Sequence, residues 1–164
     1  MLINLTWWLR GHKNIVSVKL YRILQFFSGA YVSSFTHYAN QPCFPHGFHG
    51  IFISGEARIG KNCIICQNVT IGSNHLADGK QGAPVIGDNC YIGAGAAIIG
   101  DVTIGNNVRI GANTTVYKNV PDNCAVVSAE QRNIEKTESP DNRYRTMIGG
   151  KWHYWADGRY HIET

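Results

Sequence analysis

The sequence has little leucine, little charge and no long apolar run. Six Leu stand against 18 Ile, a ratio that argues against a helical bundle and for many short strands. Charged residues are 16% and apolar residues 44% of the 164, which excludes a disordered chain and leaves room for one globular core. No run of four or more Lys or Arg occurs, so the net charge of +4 is scattered and no nucleic-acid-binding stripe is present. Cysteine is sparse too: Cys43, Cys63, Cys66, Cys90 and Cys124 form an odd set with no framework spacing. That usage points to a reducing, cytoplasmic setting rather than a disulfide scaffold. Met1–Leu9 is too short for a span and lacks the basic start and cleavage site of a signal peptide, while Lys19 and Arg22 interrupt Ile15–Phe35.

What is abundant is isoleucine, glycine and asparagine, and these fall into a rhythm. Ile53, Ile59, Ile65 and Ile71 stand six apart, and Ile86, Ile92, Ile98, Ile104, Ile110 and Val116 resume the step. Three places after these leads come Glu56, Asn62, Asn68, Asn74, Asn89, Gly95, Asp101, Asn107, Asn113 and Asn119. Such residues tolerate left-handed backbone angles and mark turns. Four places after come mostly small or β-branched side chains, from Ala57 and Cys63 to Val120. A period of six does not fit a helix repeating every 3.6 residues; it fits a solenoid whose short strands each send one aliphatic inward. Three hexapeptides close one turn of a triangular prism, so the ten units predict just over three coils. Nine extra residues, about Ala77 to Val85, interrupt the rhythm and predict a loop thrown outward from a corner.

The flanks differ. Leu5 to Tyr31 reads as one helix, because Val16, Leu20, Ile23, Leu24, Phe27 and Tyr31 recur at three- and four-residue steps. Trp7 and Trp8 precede it, so peripheral contact with a membrane surface is one reading and packing on its own domain or another subunit is the other. Beyond Pro121 the period is lost, and Met147–Tyr160, with Trp152, Tyr154, Trp155 and Tyr160, predicts one or two short strands. Those aromatics could stack a sugar, cap the prism or seal a subunit contact. The expected organisation is a helical segment at 1–40, the coil at 41–127 with a protruding loop at 77–85, and an extension at 128–164.

Pro45-His46, Gly50-Ile51-Phe52-Ile53-Ser54-Gly55-Glu56-Ala57-Arg58-Ile59-Gly60, Gln67-Asn68-Val69-Thr70-Ile71-Gly72 and Pro84-Val85-Ile86-Gly87-Asp88-Asn89-Cys90-Tyr91-Ile92-Gly93-Ala94-Gly95-Ala96 together resemble the hexapeptide-repeat acyltransferases, in particular their serine acetyltransferase branch. The resemblance implies a mainly β fold, a left-handed parallel β-helix. It also implies a homotrimer whose active sites lie between prisms, and O-acetyl transfer from acetyl-CoA without a metal. A base must take the proton of the acceptor hydroxyl, and histidine suits neutral pH. The family's histidine precedes the Gly-Ile-x-Ile stretch, which here offers His46 and His49; His46 follows Pro45 as in the family pattern. Carry-over further implies that small residues Gly93, Ala94, Gly111 and Ala112 line the pantetheine arm. Arg132 and Lys118 are candidate partners of the CoA phosphates.

Departures from the family matter equally. No Asp or Glu occurs between Met1 and Phe52, so the base would be oriented by a backbone carbonyl, Gln41 or Glu56. A second family histidine is replaced by Ala83 before Pro84, and the family's long helical N-terminal domain is missing. These departures make a saccharide of capsule or lipopolysaccharide type the expected acceptor, with L-serine as the alternative. Two readings from other classes are a γ-carbonic anhydrase-like zinc protein, drawing on His46, His49 and His75, and a non-catalytic trimeric scaffold. Cys63-x-x-Cys66 has redox or metal spacing, but Cys63 occupies an inward position and is read as packing.

Overall fold

The computed structural model describes residues 2–12, 14–75, 81–128, 145–156 and 159–163. They form two units, 1–129 and 130–164.

The first unit opens with two helices, α1 (Leu2–Gly11) and α2 (Ile15–Phe27), where the sequence predicts one. Asn14 causes the break: its side chain accepts the Ser17 N–H at 2.9 Å and caps a new helix. The chain then winds in coils of three short strands. The first coil carries β1 (Tyr31–Val32) and β2 (His37–Tyr38) and ends in a bridge at Cys43. The second carries β3 (Phe52–Ile53), β4 (Arg58–Ile59) and β5 (Ile64–Ile65). The third begins with β6 (Thr70–Gly72), throws out a two-stranded antiparallel hairpin, β7 (Asn74–His75) with β8 (Gln81–Gly82), and returns through β9 (Val85–Ile86) and β10 (Tyr91–Ile92). The fourth holds β11 (Ala97–Ile99), β12 (Thr103–Ile104) and β13 (Arg109–Ile110). The last has β14 (Thr115–Val116), a bridge at Val120, and β15 (Ala125–Val126).

Like strands stack in parallel into three faces. Face I is β1-β3-β6-β11-β14, face II is β2-β4-β9-β12 and face III is β5-β10-β13-β15. Register is lead over lead: Ile53 pairs with Ile71, Ile71 with Ile98, and Ile98 with Val116. The leads fill the interior, where Ile53, Ile65, Ile71, Ile92, Ile98 and Ile110 have no exposed surface. Each fully buried Ile contributes about 2–3 kcal/mol.

Face I is five strands deep, so the prism is longer than the repeat predicts. Its first coil keeps the spacing of six but not the residue types. Val32, Tyr38 and Phe44 stack beneath Ile53, Ile59 and Ile65. The coil therefore starts at Tyr31, and the protruding loop closes before Val85, which belongs to β9.

The turn residues do what their chemistry allows. Asn62, Asn68, Asn89, Asn107, Asn113 and Asn123 all have positive φ. At the corner between faces II and III, Asn40, Asn62, Asn89, Asn107 and Asn123 form a continuous amide ladder, each Nδ2 donating to the next Oδ1 at 3.0–3.3 Å.

The second unit is a three-stranded antiparallel sheet of β16 (Arg145–Ile148), β17 (Lys151–Ala156) and β18 (Arg159–Ile162). Gly149 and Gly150, both at positive φ, make the tight turn between the first two strands. The sheet has one strand more than the aromatic pattern predicts.

Candidate active site

The two histidines sit where the coil departs from its period. Nine residues separate Phe44 from Ile53, against six between the leads stacked above them, Ile65 and Ile71. The additional length forms the corner between faces III and I. Phe44 and Phe48 anchor it, both buried and packed edge-on at 4.7 Å. Gly47 and Gly50 supply left-handed turns. With the two Phe rings directed inward, His46 and His49 are left exposed on the outer surface. The His49 ring approaches Gly47: a Cβ at that glycine would meet its Cδ2 at 3.6 Å.

Coil by coil, the same corner continues as a column. The Asn68 N–H donates to the His49 carbonyl at 2.9 Å, the Gly95 N–H to Gln67 at 3.0 Å, and the Asn113 N–H to Ala94 at 2.8 Å. His49, Gln67, Ala94 and Ala112 thus succeed one another along the prism, about 4.8 Å apart as neighbouring strands must be. Beyond Gln67 this column has small side chains, with Ala94 half-buried and Ala112 exposed.

Gly93 and Gly111 belong to the packing instead. A Cβ on Gly93 would meet the Ala112 nitrogen at 2.7 Å, and one on Gly111 would meet Thr114 Oγ1 at 3.2 Å and the Val126 carbonyl at 3.3 Å. Their missing side chains make room for the rest of the prism, so no ligand is needed to explain them.

Glu56 stands elsewhere. It follows β3 at the corner between faces I and II, and Lys118 follows β14 at that same corner. The protruding hairpin rises there too, with the backbone of His75 in β7. One chain therefore brings His46 and His49 together, but neither Glu56 nor His75 joins them. Among the described residues no cluster of three His, Cys, Asp or Glu could hold a metal. Arg132 and loop residues 77–80 lie outside the described residues.

Sequence reasoning missed Gln67. It lies in the column next to His49, and its Oε1 is buried and accepts no hydrogen bond among the described residues. An orphaned buried carbonyl oxygen is costly and invites a donor. The available signal was positional: Gln67 precedes a left-handed Asn in the coil above the histidines.

Two of the cysteines pack inside the prism. Cys63 and Cys90 are buried at the ladder corner, their thiols donating to the carbonyls of Gly87 at 3.3 Å and Gly105 at 3.1 Å. The neighbouring Cys90 thiol, together with burial, pushes the Cys63 thiol up, away from a reactive thiolate.

Known proteins show the same architecture. Residues 83–118 match the family described as bacterial transferase hexapeptide (six repeats). A serine acetyltransferase of Synechococcus elongatus is 40% identical over 92 residues, covering 56% of this chain and 37% of that protein. One from Staphylococcus xylosus is 36% identical over 115 residues, covering 70% and 52%. Among solved structures, serine acetyltransferase isoform 3 of Entamoeba histolytica in complex with cysteine superposes with a TM-score of 0.64 at 33% identity, covering 76% of this chain and 44% of that one. The Neisseria gonorrhoeae enzyme in complex with serine gives 0.58 at 30%, covering 70% and 48%. The chain thus spans about half or less of the proteins it matches. By repeat, register and superposition the coil is a left-handed parallel β-helix, similar in fold and sequence to the serine acetyltransferases and to the hexapeptide repeats of bacterial transferases.

Proposed function

We propose that this chain transfers the acetyl group of acetyl-CoA to the hydroxyl of a small acceptor, with serine as the acceptor best supported. The observation that carries the reading is the column of His49, Gln67, Ala94 and Ala112, with His46 at the same corner, on a coil that is similar, along most of its length, to serine acetyltransferases. The similarity favours serine over the saccharide expected from the sequence. Ala83, in place of the family's second histidine, is the observation that keeps a saccharide as the second reading.

In this mechanism acetyl-CoA supplies an activated thioester. His46, exposed at the widened corner, accepts the proton of the acceptor hydroxyl as its oxygen bonds to the acetyl carbon and the carbon–sulfur bond breaks. The imidazolium then returns that proton to the departing thiolate, which leaves as the thiol. Gln67 contributes its side-chain amide beside the histidines, and Ala94 and Ala112 leave the corner shallow enough for the cofactor's arm. A homotrimer accounts for the separation of the remaining groups. If the face I–II corner of one prism meets the face III–I corner of its neighbour, Glu56 and Lys118 reach the histidines from the adjacent chain.

The test is thiol release from acetyl-CoA with L-serine and with a panel of sugars and nucleotide sugars. Release with serine is expected, and His46→Ala should lower it by about 100-fold or more. Activity on sugars alone would move the acceptor to the second reading. Undiminished turnover in His46→Ala would transfer the base to His49, and release with no acceptor would end the transferase reading.

A further inference from the structure

Helix α2 is turned inside out. Its buried residues are Ser17, Tyr21 and Gln25, all polar. Its aliphatic and aromatic residues face outward: Ile15, Val16, Leu20 and Ile23 are exposed, and Phe26 and Phe27 are 81% and 80% exposed. This orientation is held by specific bonds. The Tyr21 hydroxyl donates to the Val32 carbonyl at 2.7 Å, and the Gln25 side chain accepts the Val32 N–H. Two side chains one turn apart thus cap both backbone groups of edge strand β1, and rolling the apolar stripe inward would break both contacts. Phe35, 86% exposed, and Tyr31 extend the outward surface onto the first coil.

The charge of this region has one sign. Residues 1–55 contain Arg10, Lys13, Lys19 and Arg22 and no Asp or Glu. Lys19 and Arg22 are exposed on α2 itself. A cavity of about 660 Å³ opens between the helices and the first coil, with Arg10, Arg22 and His12 in its wall beside Phe26, Tyr31 and Phe35. Exposed Trp8 stands on α1.

We propose that this surface docks on an anionic lipid bilayer, with Phe26, Phe27 and their aliphatic neighbours entering the interface and Lys19 and Arg22 meeting headgroup phosphates. Charge selects the occupant. Burial against a second copy would bring Lys19 and Arg22 of each chain together, and the segment holds no acid to compensate them. Lipid phosphates supply that charge, and the long stems of Lys19 and Arg22 can lie along the apolar surface while their heads reach the phosphates. No helix among the described residues is long and apolar enough to cross a membrane, so the contact is peripheral.

The test is co-sedimentation of the full chain with vesicles of equimolar phosphatidylglycerol and phosphatidylcholine, and with phosphatidylcholine alone. Binding to the anionic vesicles should exceed binding to the neutral ones by about tenfold and weaken with added salt. The double variants Phe26→Ser/Phe27→Ser and Lys19→Glu/Arg22→Glu should each lower it by about tenfold, with an unchanged far-UV circular dichroism spectrum. Failure to sediment with anionic vesicles overturns the proposal, as does undiminished binding of either variant. A change in the lipid-free sedimentation coefficient of Phe26→Ser/Phe27→Ser also overturns it, because the surface would then be an interface between copies.

Discussion

The coil and helix α2 carry equally regular apolar patterns, yet one pattern points inward and the other outward. In the coil, every lead aliphatic is stacked on another by parallel pairing, so periodicity and burial coincide. In α2, spacing groups Val16, Leu20, Ile23 and Phe27 on one side, but the hydrogen bonds of Tyr21 and Gln25 decide which side meets the coil. An apolar stripe states which residues share a surface. It does not state what covers that surface.

The contrast can be broken at its strongest point first. Ile92 has no exposed surface and sits mid-prism between Ile65 and Ile110. Ile92→Asp should abolish cooperative thermal unfolding, since an unpaired buried carboxylate costs several kcal/mol. Phe26→Ser, made on the outward surface of α2, should leave stability within about 0.5 kcal/mol by the same melting experiment.

A smaller effect separates turns inside the coil from a turn outside it. Gly95 has φ +69°, and a Cβ there would lie 2.1 Å from Asn113 Oδ1. Gly95→Ala should cost about 1–3 kcal/mol in urea unfolding. Gly149, at φ +56° with no described atom within 4 Å of where a Cβ would sit, should lose less on the same change.

The smallest effect concerns the junction of the two regions. Burial pushes the Tyr38 phenol up to about 12, against the opposing pull of Arg10, and burial raises Tyr21 as well. In the unfolded chain these phenols ionise near pH 10. Between the two values the folded state keeps protons that the unfolded state has lost, so stability holds below about pH 10 and falls from there through about pH 12. Urea midpoints measured on either side of about pH 10 should show the fall, and Tyr38→Phe should reduce it.

Much of this was legible in the residues. The inward leads, the Asn turns and the outward loop follow from the period of six, because backbone pairing converts spacing directly into stacking. The first coil was hidden: Val32, Tyr38 and Phe44 keep the interval but carry no Ile and lack the Gly that follows most later leads. At the site, His46 and His49 stood out by type and by their place before Gly50. Their separation from Glu56 follows from three-hexapeptide coils, since Gly50 and Asn68 are one turn apart whereas Glu56 is one corner on. Gln67 escaped because its position before a left-handed Asn is shared by other repeats, and the burial of its Oε1 leaves no mark in a sequence.

Register has one more consequence. Ile92 lies directly over Ile110, and Ile98 over Val116, so eighteen residues advance the chain by one whole storey. Each storey touches only those above and below it. Length is therefore a modular property of this column: duplicating Ile92–Arg109 would raise it by one floor, with the helical base and the final strand meeting the same neighbours as before.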